Sequence, residues 1–179
     1  LGLLANIGHA ETADLGSLLE GDMRKLTLHT APEATSAVVF LSADGEELTL
    51  ADYQGKTILV NFWATWCAPC RKEMPQLAAL QTQLGGDTFE VVTIATGRNP
   101  VPAMKAFFAE IGVDNLPLNT DARQALARSM GVLGLPVTVI IGGHRTVTFK
   151  PEGDHRKEVV RRVQNEPVTG RRPEDGQIG

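Results

Sequence analysis

Residues 56–63 read Lys-Thr-Ile-Leu-Val-Asn-Phe-Trp, an apolar run broken once, by Asn61. A continuous run of this kind predicts a strand covered on both faces of a sheet. Beyond it Leu77, Leu80 and Leu84 recur at helical spacing, Gly85-Gly86 ends that helix, and Pro75 inside it is expected to kink it. Residues 89–95 repeat the buried-strand signature. Met104, Phe107, Phe108 and Ile111 form an i, i+3, i+4, i+7 stripe, which predicts an amphipathic helix over 102–111 with that stripe in the core. Residues 116–118 read as a short extended piece, Asp121 as the cap of a helix over 122–130, and 137–141 as a third strand. Gly142-Gly143 then turns the chain into 145–150, and Asp154 is expected to cap a last helix bearing Val159, Val160 and Val163. Upstream, Leu15, Leu18, Leu19, Met23 and Leu26 predict a helix over 11–28, weakened by Gly16 and Gly21. A linker follows at 31–36. Residues 38–41 and 48–50 read as a hairpin around the Asp44-Gly45 turn signal. This alternation of strands and helices implies an α/β sheet with right-handed crossovers. The division it suggests is an N-terminal extension over 1–36, a folded domain over 37–163 and a tail over 164–179.

The chain has 179 residues, enough for one domain with a real core, and its 42% hydrophobic and 21% charged residues are those of a globular protein. A net charge of −4 argues against nucleic acid as a partner. No apolar run has the length of a membrane span. The segment 1–10 begins Leu-Gly-Leu-Leu without an initiator Met and reads either as the end of a signal or anchor segment or as an ordinary terminus. The charge changes sign near the end: residues 1–143 hold nine Lys/Arg against fifteen Asp/Glu, while residues from His144 onward hold eight against six. The last stretch, 164–179, has almost no apolar residues and is expected to be disordered. Deleting it should change the unfolding free energy by less than about 0.5 kcal/mol, as surface changes do; a larger loss in a urea titration means that it docks on the domain.

Two cysteines, Cys67 and Cys70, narrow the chemistry most. Two thiols do not complete a four-ligand structural zinc site, and none of the four histidines lies near them at a metal-site spacing. Residue 71 is Arg rather than His, which excludes haem attachment. The pair therefore reads as a redox couple needing neither metal nor cofactor. Cys67 falls where a strand ends and a helix begins, so the free amides and dipole of the first turn favour its thiolate, and Arg71 and Lys72 add positive charge. Cys70 lies one turn deeper. The expected order is attack by Cys67 on a partner's disulfide, then attack by Cys70 on the mixed disulfide. Pro69 restrains the loop between them, and Trp66 is expected beside the sulfurs.

The string Trp63-Ala64-Thr65-Trp66-Cys67-Ala68-Pro69-Cys70-Arg71-Lys72-Glu73-Met74-Pro75 resembles the active-site signature of the thioredoxin superfamily. More narrowly, it is similar to that of the TlpA-like branch of extracytoplasmic thiol:disulfide oxidoreductases. Gly134-Leu135-Pro136-Val137-Thr138 resembles the family's second fixed element, a cis-proline loop. The resemblance covers roughly residues 38–141. It implies a three-layer α/β sandwich, with a central mixed sheet, helices on both faces and a helix-strand insertion between Ala95 and Asp121. It also implies that Leu135 and Pro136 face the cysteines and bind a partner's backbone.

Two departures bear on mechanism. Cytoplasmic thioredoxins carry a proton-shuttling Asp where this chain has Asn61, as TlpA-like proteins do, so the proton must pass to water or to another carboxylate. Glu73, one turn from Cys70, is the candidate relay; a solvated surface carboxylate is the other reading of that position. The family's acidic turn after the third strand is replaced by Gly142-Gly143-His144-Arg145. The resemblance implies a monomeric reductase in the periplasm or another extracytoplasmic space, with a membrane tether compatible with the 1–10 segment, fed by a membrane dithiol donor. Its clients would be disulfide-bearing proteins such as apocytochrome c or the copper-binding cysteines of cytochrome oxidase assembly. The alternative reading is a copper(I) carrier that uses both thiolates as soft ligands; a peroxidase reading fits the paired cysteines less well.

Overall fold

The apolar run at residues 57–63 lies at the centre of a mixed sheet that has eight strands among the described residues. A computed structural model describes residues 27–28, 37–142 and 145–149. In chain order the strands are β1 (Thr27–Leu28), β2 (Phe40–Leu41), β3 (Glu47–Leu48), β4 (Thr57–Trp63), β5 (Phe89–Thr96), β6 (Asn119–Asp121), β7 (Val137–Gly142) and β8 (Arg145–Phe149). Across the sheet they run β1-β8-β7-β4-β5-β6-β2-β3. Strand β4 pairs parallel with β5 and antiparallel with β7. Among the described residues the helices are α1 (Ala68–Leu84), α2 (Val101–Glu110) and α3 (Ala125–Ser129), with a 3₁₀ turn at Leu50–Tyr53.

The period of two along β4 separates two cores. Leu59 and Trp63 join Met74 and Leu80 of α1 and Met104, Phe107 and Phe108 of α2 on one face. Ile58, Val60 and Phe62 join Leu126 and Ala127 of α3 on the other. Helices thus cover both faces, the three-layer α/β sandwich expected. Trp63 packs between the α2 aromatics, with ring centroids 5.0 Å from Phe107 and 5.1 Å from Phe108, distances at which aromatic pairs add to simple burial.

Several elements differ from their sequence-based reading. Thr27 and Leu28, expected at the end of a helix, form an edge strand antiparallel to β8; the rest of that helix lies outside the described residues, as do the 31–36 linker, the Asp154 helix and the 164–179 tail. Leu50 opens the 3₁₀ turn rather than extending the hairpin. The strand expected at 116–118 begins instead at Asn119, paired with Ile94. Pro117 has no N–H for the ladder, and its carbonyl is taken by the Thr93 hydroxyl. Asp121 does serve the next helix, but from within β6: its carboxylate accepts from Ala125 N at 2.8 Å and Ala127 N at 2.9 Å. That helix starts late because Gln124 is left-handed, with φ of 58°. Helix α1 runs through Pro75, which is exposed and leaves the Arg71 carbonyl without its usual intrahelical donor.

Candidate active site

Strand β4 delivers the chain to Ala64, where a turn closed by a Cys67 N–H to Ala64 carbonyl bond of 3.1 Å leads into α1. Cys67 is the N-cap of that helix, and Pro69 sits in its first turn, where a missing N–H costs nothing. The two cysteines form a disulfide with their Cα atoms 5.3 Å apart. Cys67 Sγ also accepts the Cys70 backbone N–H at 3.3 Å. When the bond opens, that amide and the helix dipole already point at the first sulfur, the arrangement that favours a thiolate. Cys67 retains 5% exposure and Cys70 none, so the first cysteine offers the reachable sulfur.

The positive charge expected from Arg71 is spent elsewhere. Its guanidinium pairs with Glu110 at 2.8 Å and lies 4.7 Å above the Phe107 ring. The support that the structure places directly on the Cys67 sulfur is the Cys70 amide at the helix terminus. Trp66 is 69% exposed immediately before Cys67.

The antiparallel register sets Asn61 opposite Thr138 and Phe62 opposite Val137, so Pro136 arrives at the end of the sheet where β4 meets the cysteine turn. The Leu135–Pro136 peptide is cis. Leu135 and Pro136 are both half-buried, and Leu135 packs against both cores.

One turn along α1 from Cys70, Glu73 enters a polar contact with β4. Asn61 is fully buried on the α1 face of β4. Its Nδ2 donates to Glu73 Oε1 at 2.8 Å and to Thr138 Oγ1 at 3.0 Å. Glu73 is therefore not a freely solvated carboxylate. Burial raises its pKa from 4.5 to about 7, against the smaller lowering effect of the Asn61 hydrogen bond. Its partner across the sheet, Thr138, was not apparent from the sequence, because which residue faces Asn61 is a matter of strand register. Asn99 was missed as well: its side chain reaches Thr65 from the β5–α2 turn. The Asn-Pro pair at 99–100 marks a turn, which was the one signal available.

A mixed sheet with helices on both faces, a disulfide at the N-terminus of a helix and a cis proline just ahead of the strand that pairs with β4 are features of the thioredoxin superfamily, and with its relatives they make the chain a TlpA-like thiol-disulfide oxidoreductase. The Redoxin family model matches residues 29–166, and the chain belongs to that family. Among its relatives, the thiol-disulfide oxidoreductase ResA of Geobacillus thermodenitrificans is 31% identical over 132 residues, 74% of this chain and 72% of that protein. The thiol:disulfide interchange protein HelX of Rhodobacter capsulatus is 34% identical over 106 residues, 59% of this chain and 57% of that protein. A secreted thiol-disulfide isomerase from Corynebacterium glutamicum shares the fold, with a TM-score of 0.66 at 22% identity over 79% of this chain and 93% of that one. Among the described residues no helix is long and apolar enough to cross a membrane.

Proposed function

We propose that the chain reduces disulfides of client proteins outside the cytoplasm, with residues 37–163 as the working domain, acting as a monomer re-reduced by a membrane dithiol donor. The single observation that carries this reading is the unequal placement of the two sulfurs, with Cys67 reachable at the helix N-cap and Cys70 sealed behind it. Cys67 thiolate attacks a client disulfide sulfur, a mixed disulfide forms, and the first client sulfur leaves with a proton from solvent. Cys70 then gives up its proton and attacks Cys67 Sγ. The Cys67–Cys70 bond forms and the second client thiol departs, so the client gains the two electrons that the pair loses.

Glu73 is one turn along α1 from Cys70, and a carboxyl titrating at about 7 is matched to taking that proton near neutral pH. Asn61 holds it in place. Leu135 and Pro136 receive the client backbone, with Trp66 and Pro69 flanking the Cys67 sulfur. The resemblance to TlpA-like proteins supports an extracytoplasmic setting and clients among cytochrome c or copper-centre maturation proteins.

The direction of electron flow is tested by equilibrating the chain in glutathione or dithiothreitol buffers and following Trp66 fluorescence. One two-electron transition is expected at a potential more reducing than about −200 mV; a value near −120 mV makes the chain an oxidant and overturns the reductase reading.

A further inference from the structure

Asn99 lies outside the cysteine motif, in the turn between β5 and α2, and is only 6% exposed. Its carboxamide uses every hydrogen-bonding position it has. Oδ1 accepts from Thr65 N and from Thr65 Oγ1, each at 2.9 Å. Nδ2 donates to the Thr96 carbonyl at 3.0 Å and to the Gly97 carbonyl at 3.4 Å. One side chain thus ties the end of β5 to Thr65, an inner residue of the turn that runs from Ala64 to Cys67. The same side of the site is braced again further along α2, where Phe107 and Phe108 pack on Trp63 and Glu110 pairs with Arg71.

We propose that Asn99 is a positioning residue for the redox pair: by gripping Thr65 it holds Cys67 at the start of α1 when the disulfide is open. In the oxidised chain Cys67 is held by its covalent bond to Cys70 as well as by this turn. Reduction by a dithiol moves two electrons and two protons onto the sulfurs, leaving two thiols here and a disulfide on the reagent. The covalent tie is then gone, while the hydrogen bonds to Asn99 are independent of sulfur oxidation state. Alignment of Cys67 Sγ with the Cys70 amide therefore depends on Asn99 more in the dithiol form than in the disulfide form. A group that favours one redox state more than the other shifts the equilibrium between them.

The proposal rests on the pair cycling between disulfide and dithiol, which a glutathione titration of the unmodified chain tests separately. Asn99→Ala should move the redox equilibrium about tenfold toward the disulfide, equivalent to about 30 mV more negative. It should also shift the pH profile of Cys67 alkylation by iodoacetamide upward, because the thiolate loses alignment with its donor. Thr65→Val, which removes the hydroxyl and keeps the N–H, should move both readouts the same way by less. The double variant should go no further than Asn99→Ala alone, as expected of two residues acting through one contact. Unchanged redox equilibrium and alkylation profile, with equal losses of thermal stability in both redox forms, reduce Asn99 to a structural residue and overturn the proposal. If Asn99→Ala does not fold, Thr65→Val decides alone: no shift in either readout overturns it.

Discussion

At pH 8 the Glu73→Gln variant should be more stable than the unmodified chain by up to about 3 kcal/mol, and at pH 4 the two should be equally stable. The cause is the burial that raises this carboxyl from 4.5 to about 7. Below 4.5 the group is protonated in both the folded and the unfolded chain, so it carries no charge penalty. Between 4.5 and 7 the unfolded chain releases its proton while the folded chain keeps it. The folded state binds more protons there, and its stability falls as pH rises. Above 7 the charge is present in both states and the full cost of burying it remains. Glutamine keeps the oxygen that accepts from Asn61 but cannot ionise, so this slope disappears. Urea unfolding of the oxidised proteins at pH 4, 6 and 8 measures it, and parallel pH dependences for the two proteins refute the assignment. The same substitution removes the proposed proton acceptor, so turnover should fall and lose its limb near pH 7.

Cys70→Ser should abolish turnover and accumulate client proteins bound covalently through Cys67, whereas Cys67→Ser should abolish turnover and trap almost nothing. The asymmetry follows from position. Cys67 caps α1, accepts the Cys70 amide and keeps a sliver of exposure, while Cys70 is sealed behind it. Removing the second thiol stops the chemistry after the mixed disulfide has formed, and removing the first prevents it from forming. Non-reducing electrophoresis of an envelope extract from the source organism, followed by identification of the adducts, reads out both roles. Adducts on Cys67→Ser reverse the assignment. If neither variant traps a protein while the unmodified chain binds copper(I) tightly, the carrier reading replaces the reductase.

What the sequence disclosed about this molecule follows from how local each signal is. Strand β4 and helix α1 were legible because an unbroken apolar run and a helical stripe need no knowledge of the partner surface. Helix α2 was found to within a residue at each end by the same reasoning. The errors fall where a non-local bond decides. Strand β6 starts late because Pro117 cannot donate to β5, and α3 starts late because Gln124 turns left-handed. Thr27 and Leu28 follow a helical stripe in sequence but are recruited by β8, more than a hundred residues on. In the site, the cysteines and Pro136 were visible as motif residues. The surroundings of Glu73 were not, because they depend on Asn61 projecting from the α1 face of β4. Arg71 looked like a free cation because nothing in the motif announces Glu110.

The pairing of Thr27 with Thr148 and of Leu28 with Val147 bears on how this chain is handled. It places the outermost ladder of one side of the sheet in the hands of a segment that precedes the catalytic fold. A fragment trimmed to begin at residue 37, the domain boundary suggested by the pattern of elements along the sequence, would keep both cysteines and the cis proline. It would also bare a row of amide and carbonyl groups along β8. Such a row is a template for another chain, so the trimmed protein would exchange an intramolecular cover for a sticky rim. Thr27 and Leu28 thus cover an edge and take no part in the cysteine chemistry, and a fragment meant for redox work is better begun ahead of them.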